Sequence, residues 1–274
     1  CPIDNNPPTA LCQSLTVELV SNGNATVVAD SVNNGSTDNC NIAGFSLSPN
    51  TFTCANLGNN IVTLTVMDGV GNTSTCTANL NIVAYPLSGS VVAQLTSCGY
   101  NVSCNGSNDG TATAIPTGGC PNYSFLWSTG DTTNSVSGLG VGTYTVTISD
   151  GIGGVAVDSI TLYGPPAWQL SATNLTPSCA NDSTGAVDFS VSGSNACGNY
   201  TFLWSNGATT EDVTALAPGT YSVTVTDVAG CTETLGFIVP SYSLPSPTFT
   251  QIGNTLVASQ IWSSYQWLFN GGII

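Results

Sequence analysis

The sequence predicts an all-β protein, built of tandem β-sandwich modules in a rod-like array. Val, Ile, Thr, Tyr and Trp are common in a chain that is 41% hydrophobic, and these residues favour pleated, half-buried strands. Apolar and polar side chains alternate with a period of two, as in residues 221–226. Segments 120–128 and 142–150 recur almost unchanged as 197–205 and 219–227. Repetition of such strand-rich units indicates several similar modules rather than one large domain.

The repeats and the boundary prolines divide the chain into modules. The two homologous repeats supply the spacing, and short proline-containing linkers between them are semi-rigid. We expect residues 1–8 to be a linker or the end of a preceding module, 9–84 a first module, 85–164 a first repeat, 165–240 a second repeat, and 241–274 the start of a truncated fourth module. The chain is accordingly expected to be a segment of a longer protein.

Turn residues mark where the strands of each module end. Asn206-Gly207 lies between two strand-like runs and predicts a hairpin turn, because both residues tolerate positive φ. Pro218-Gly219 directly precedes the strong strand 219–227 and predicts another turn. In the first module, residues 68–72 predict the hairpin that leads into the last strand.

The composition excludes several classes of function. The chain contains no Lys, Arg or His and carries a formal charge of −15. This charge repels phosphate backbones and anionic lipids, so we expect neither nucleic-acid binding nor a polybasic membrane anchor. No run of about 18 apolar residues exists, so we expect no membrane insertion. General acid–base catalysis would depend on carboxylates, Tyr and Cys alone, and we do not expect an enzyme.

Eleven cysteines in a chain without His indicate disulfides formed in an oxidising, extracellular compartment. Sequence alone does not determine connectivity. Cysteines on the opening and closing strands of a module are expected to meet, Cys197 is then left over, and Cys1 is expected to pair outside the segment. The expected pairs are Cys12–Cys76 and Cys40–Cys54 in the first module, Cys104–Cys120 in the first repeat and Cys179–Cys231 in the second.

Two aromatic pairs recur at equal spacing, Trp127 with Tyr144 and Trp204 with Tyr221. A Trp on the third strand, with a Tyr at the start of a later strand, resembles the core of immunoglobulin-like (Ig-like) sandwiches. We therefore predict that all four side chains belong to module cores. A carbohydrate-binding platform built from the two Trp side chains is the alternative.

Clusters of Asp and Asn have two interpretations, calcium sites and ordinary turns. Asp38, Asp109 and Asp182 lie in such clusters and offer the hard oxygen ligands that calcium takes. The same residue types also form ordinary turns, in which the side chain bonds to the backbone. We expect no cofactor other than calcium.

Motifs in the modules resemble known repeat families. Segment 66–76, with Asp68-Gly-Val-Gly-Asn72 followed by Cys76, resembles the hyalin-repeat (HYR) family. The next two modules resemble SprB-type repeats of gliding adhesins, through segments such as 200–207 and 216–221. Gly154 departs from the pattern, since the second repeat has Cys231 there. Residues 265–271 resemble the start of an Ig-like module.

These resemblances imply a large exported protein of Bacteroidetes-type bacteria, secreted by the type IX route and linked with adhesion, gliding or appendages. We therefore predict a structural or adhesive segment of a secreted cell-surface or filament protein that acts as a disulfide-stabilised stalk. The alternatives are a module that binds glycan or protein, and an accessory stalk of a secreted enzyme. The expected partners are further copies of the chain as fibre subunits, or a cell-surface or glycan ligand.

Overall fold

The computed structural model describes residues 4–175, 182–193, 198–241, 248–258, 268–269 and 272–273. The all-β prediction is confirmed, since the described helices are one short α-helix, α1, and one 3-10 turn. The elements are β1 (Leu15–Glu18), β2 (Asn24–Thr26), α1 (Ala29–Val32), β3 (Ile42–Ser48), β4 (Thr51–Thr53), the 3-10 turn (Cys54–Asn56), β5 (Gly58–Asp68), β6 (Thr73–Val83), β7 (Ser88–Ala93), β8 (Gly110–Thr117), β9 (Ser124–Trp127), β10 (Ser135–Leu139), β11 (Gly142–Ser149), β12 (Val155–Leu162), β13 (Gln169–Leu175), β14 (Gly185–Ser192), β15 (Tyr200–Trp204), β16 (Val213–Leu216), β17 (Gly219–Asp227), β18 (Thr232–Val239), β19 (Phe249–Ile252), β20 (Thr255–Ala258), β21 (Leu268–Phe269) and β22 (Gly272–Ile273).

The first sandwich comprises β1–β6. One sheet has the order β1-β6-β5-β3, and β2 pairs with β4 in a second, two-stranded sheet. β1 runs parallel to β6, and the other pairs are antiparallel. Val62, Leu64 and Val66 on β5 are fully buried, and the residues between them face the other side of the sheet. The period-two pattern of the sequence thus corresponds to one buried face.

The second sandwich (β7–β12) and the third (β13–β18) have the same topology. Their sheets have the orders β10-β8-β7 and β12-β11-β9 in one, and β13-β14-β16 and β15-β17-β18 in the other. Val146 and Ile148 on β11 are fully buried, as are Val223 and Val225 at the matching positions of β17. Each sandwich has its own hydrophobic core. Together these features confirm the predicted fold class of tandem Ig-like β-sandwiches.

The predicted hairpin at Asn206-Gly207 is wrong, although a tight turn is present. The Gly207 N–H donates to the Trp204 carbonyl oxygen at 2.9 Å, and Gly207 has a φ of +87°. The strands on either side belong to different sheets, because β15 pairs with β17 and β16 pairs with β14. The chain crosses between the layers here, since both layers need a strand to cover the shared core.

The chain forms two compact units, Cys1–Pro165 and Pro166–Ile274. The first unit holds the first two sandwiches, and the second holds the third sandwich and the pairs β19–β20 and β21–β22. Most of the residues after 258, where a fourth module is expected, lie outside the described residues. Among the described residues, no helix is long and apolar enough to cross a membrane.

Candidate functional site

The predicted disulfide Cys12–Cys76 is confirmed. Cys12 precedes β1 and forms an isolated backbone bridge with Asn33, while Cys76 lies on β6. Their Cα atoms are 5.9 Å apart, and the bridge closes a loop with a sequence separation of 64. The opening segment of the first sandwich is thus attached to its last strand.

A second disulfide, Cys54–Cys120, joins two different sandwiches. Cys54 lies on the 3-10 turn after β4, and Cys120 lies in the loop between β8 and β9. Their Cα atoms are 5.7 Å apart. The predicted pairs Cys40–Cys54 and Cys104–Cys120 are therefore wrong, because the prediction treated each module as covalently self-contained.

The remaining predicted pair, Cys179–Cys231, is only partly within the described residues. Cys179 lies outside them, so its pairing with Cys231 stays a prediction, and Cys1 and Cys197 also lie outside. Four further cysteines are disulfide-bonded: Cys40, Cys98, Cys104 and Cys231. A chain with this many cross-linked cysteines belongs in an oxidising compartment.

The two resolved bridges interlock along the sequence. Cys54 lies inside the loop that Cys12–Cys76 closes, and Cys76 lies inside the loop that Cys54–Cys120 closes. The covalent path through the first two sandwiches is therefore much shorter than the chain itself. If either sandwich unfolds, its strands stay tied to the other sandwich.

Packing at this junction supports the bridge. A Cβ at Gly23 would lie 3.2 Å from Pro121 Cδ and 3.3 Å from Cys54 Sγ, so the turn before β2 contacts both sides of the junction. The linker between the sandwiches is also fixed, because the Gly119 N–H donates to the Tyr85 carbonyl oxygen at 2.8 Å. The junction between the first two sandwiches (Gly23, Cys54, Tyr85, residues 118–121) is thus built from backbone contacts as well as a covalent bond.

The carboxylate of Asp150 holds the Cys120 backbone in position. Its Oδ2 accepts the Cys120 N–H at 3.0 Å, and its Oδ1 accepts the N–H groups of Ile152 at 3.1 Å and Gly154 at 2.6 Å. Burial raises the pKa of Asp150, but the backbone N–H donors outweigh that effect and the pKa is lowered from its ordinary value. The charged form is thus favoured in the folded state.

Asp68, Asp150 and Asp227 take the same role in the three sandwiches, which the sequence reasoning missed. Each is buried at the end of a strand and accepts N–H bonds from the turn that follows. The signal in the sequence was an Asp followed by Gly three residues later, which occurs in all three turns. These carboxylates are turn organisers, stabilised by their own backbone donors.

The predicted core aromatics are confirmed. Trp127 and Trp204 are each 2% exposed, and Tyr144 and Tyr221 pack against the same cores. Each indole N–H donates to a Thr carbonyl oxygen six residues later, at 2.8 and 2.7 Å. Each Tyr hydroxyl donates to a carbonyl oxygen four residues earlier, at 3.2 and 3.0 Å. The two Trp side chains therefore do not form an exposed carbohydrate platform.

The three acidic residues singled out from the sequence have different surroundings. Asp38 lies in a cluster with Asp4 and Cys40, in which one ligand-type atom from each residue lies within 4.8 Å of the others. Asp109 Oδ1 accepts the Ser103 N–H at 3.0 Å, and hydrogen bonds from Ser103 lower the pKa of Asp109. Asp182 Oδ2 accepts the Thr184 hydroxyl at 3.1 Å. Within the described part of the chain, neither of the latter two belongs to such a cluster.

Comparison with known proteins gives one family match. The SprB repeat model matches residues 100–132 and 172–209, in the second and third sandwiches. No curated protein matches the chain. The SprB-type resemblance of the two repeats is therefore supported at two sites.

Several solved multi-domain structures resemble the chain at low identity. The N-terminal eight Ig domains of Down Syndrome Cell Adhesion Molecule align with a TM-score of 0.42 and 11% identity over 87% of this chain. Three domains of the bacteriophage RB49 outer capsid protein Hoc align with a TM-score of 0.32 and 17% identity over 57% of this chain and 58% of that one. The protocadherin GammaB4 extracellular domain aligns with a TM-score of 0.29 and 14% identity over 92% of this chain and 52% of that one. The chain spans 37% of the first of these structures.

The location of the chain follows from its repeats and cross-links. SprB repeats occur in cell-surface and secreted proteins, and two of them match here. The disulfides agree with that location, because the cytosol keeps thiols reduced. The chain is extracellular.

Proposed function

We propose that this chain is a structural, adhesive segment of a large secreted surface or filament protein, and that it acts as a disulfide-stabilised stalk. The observation that carries the proposal is the Cys54–Cys120 bridge between the first two sandwiches. In the same proposal, the first module is HYR-like and the parent protein is exported by the type IX route of a Bacteroidetes-type bacterium.

A stalk under tension fails when its modules unfold and lengthen. The interlocked bridges limit that lengthening, because the unfolded chain between Cys12 and Cys120 cannot extend past its cross-links. The absence of Lys and Arg also removes every cleavage site for trypsin-like proteases. Both features favour a protein that resists mechanical extension and proteolysis outside the cell.

The buried aromatics and acids favour the stalk over a glycan-binding tip or an enzyme. Trp127 and Trp204 are used in the cores, which removes the platform that a glycan would stack on. The carboxylates of Asp68, Asp150 and Asp227 are committed to turns. We propose that the chain is non-enzymatic on these grounds.

Single-molecule force spectroscopy on the oxidised chain tests the stalk. We expect reduction of the disulfides to increase the total released contour length by roughly 30 nm or more, at about 3.6 Å per freed residue between Cys12 and Cys120. The control is the C12S/C54S/C76S/C120S variant, which should already show the long contour length before reductant is added. An unchanged length after complete reduction would contradict the proposal.

Assembly with other copies of the chain belongs to the same proposal. β9 and β15 are edge strands, and Leu126 and Leu203 on them are 56% and 59% exposed. Edge strands with exposed apolar residues are templates for pairing with another chain. The charge of −15 opposes lateral packing unless salt or a cation screens it. We expect elongated rods or fibres in electron micrographs of material from the producing cell; compact single particles would contradict the assembly.

A further inference from the structure

Two carboxylates of the first sandwich lie close together beside a small pocket. The pocket has a volume of about 110 Å³ and is lined by Asp4, Cys40, Asn41, Gly69 and Val70. Asp38 is not part of the lining, but its ligand-type oxygen lies within 4.8 Å of that of Asp4. Residues 4 and 38 are far apart in the sequence, so only the fold brings them together.

One oxygen of each carboxylate is buried without a hydrogen-bond donor. Asp4 is 8% exposed, and its Oδ2 has no partner. Asp38 Oδ1 is also buried without a partner. Two like charges at this distance, removed from water, repel each other and oppose folding. The chain contains no Lys, Arg or His, so no side chain of its own can neutralise them.

The other oxygen of each carboxylate is held by the protein. Asp4 Oδ1 accepts the Asn6 N–H at 3.0 Å and the Asn39 side-chain amide at 3.3 Å. Asp38 Oδ2 accepts the Cys40 N–H at 2.8 Å. Hydrogen bonds of this kind orient carboxylate ligands around a metal ion. They leave the unpartnered oxygens available to a cation bound between the two carboxylates.

The donor set selects a hard cation. Cys40 is in a disulfide, so its sulfur is not a thiolate, and the chain has no His for a zinc or copper ion. The remaining donors are oxygens, and Asn41, which also carries a side-chain carbonyl, lines the pocket. Two oxygens that share one calcium ion lie at most about 5 Å apart, which agrees with the cluster. Magnesium needs near-ideal octahedral geometry and keeps more of its water, so the irregular pocket favours calcium.

We infer that Asp4 and Asp38 together bind a calcium ion beside this pocket. Asn72 connects this pocket to the hairpin between β5 and β6, since its side-chain amide donates to the Asp4 carbonyl oxygen at 3.0 Å and to Asp68 Oδ2 at 2.8 Å. The ion would therefore fasten residues 4–6 to both the segment before β3 and that hairpin. Calcium binding at this site does not depend on the two disulfides. It is therefore expected whether or not the chain acts as a stalk under tension.

Equilibrium dialysis and thermal melts of the whole chain test the site with calcium chloride and with chelator. We expect a dissociation constant of about 0.1–1 mM, in the range of extracellular modules. The D4N/D38N variant should bind one calcium ion fewer than the wild type. At about a hundredfold excess over the dissociation constant, calcium should raise the Tm of the wild type by about 5 °C or more and leave that of the variant unchanged.

The control variant is D30N/D131N, which removes two exposed acids and the same net charge. It should bind calcium as the wild type does. In chelator, D4N/D38N should melt at or above the wild-type temperature, because the repulsion is gone. If D4N/D38N does not fold by circular dichroism, D38N alone replaces it, since Asp38 is only half-buried. Equal binding in wild type and variant would overturn the site, and equal affinity for magnesium would overturn the choice of ion.

Discussion

Replacing Trp204 with Ala is expected to lower the free energy of unfolding of the third sandwich by about 3–5 kcal/mol. Trp204 is 2% exposed and contacts Phe189 and Phe237 edge-on, with ring centroids 5.8 and 5.6 Å away. The substitution leaves a cavity between the two sheets, and it also removes the indole donor to the Thr210 carbonyl oxygen. The free energy of unfolding of a single domain is only about 5–15 kcal/mol, so the substitution removes a large part of the stability of this sandwich.

Urea denaturation followed by circular dichroism measures this loss. Leu203→Ala is the matched control, because Leu203 is the neighbour of Trp204 on β15 and is 59% exposed. We expect that control to cost less than about 1 kcal/mol, as surface substitutions do. Trp204→Phe should fall between the two, since it keeps part of the buried area and loses the hydrogen bond. Similar losses for Trp204→Ala and Leu203→Ala would show that the Trp is not a core residue.

Removing the Cys54–Cys120 bridge as C54S/C120S is expected to destabilise the first unit by about 4 kcal/mol in the chain-entropy account. The bridge spans a sequence separation of 66, so its loss frees a long loop in the unfolded state. It also removes the disulfide that joins the first two sandwiches, and leaves only the peptide linker between them. We expect their unfolding, cooperative in the wild type, to separate into two transitions.

C12S/C76S is the matched control for this prediction. Its bridge has nearly the same sequence separation, 64, but lies inside the first sandwich. The control should lose a similar free energy without separating the two sandwiches, because Cys54–Cys120 remains. Differential scanning calorimetry under oxidising conditions resolves the transitions. If C54S/C120S still unfolds in one transition at the wild-type midpoint, the bridge does not couple the sandwiches.

The sequence was informative where a local pattern has one structural outcome. Alternation in residues 221–226, together with the matching segment 142–150, predicted strands with one buried face, and the structure buries one face of β17 and of β11. The repeated Trp and Tyr positions predicted core residues, because a large aromatic with a polar end packs well only where its donor finds a carbonyl. Cys12 and Cys76 were predicted to meet because the opening and closing strands of a sandwich lie side by side.

The turn at Asn206-Gly207 shows that a local sequence pattern does not determine which strands pair. Asn206-Gly207 correctly indicated a tight turn, but the turn leads to the opposite sheet rather than back along the same one. The dipeptide determines the backbone dihedrals at that point. Which strand the chain pairs with afterwards depends on where the core still needs to be covered, and that is a property of the whole sandwich.

By itself the sequence determined the strands, the repeat, the aromatic cores and the oxidised state of the chain, because each depends on residues close together or on composition. Only the tertiary structure decided that Cys54 pairs with Cys120 across two sandwiches, and that Asp4 lies beside Asp38. Both contacts join residues that are distant in sequence and belong to separate patterns. Their geometry is set by how sheets and linkers pack, which no local spacing of residues encodes.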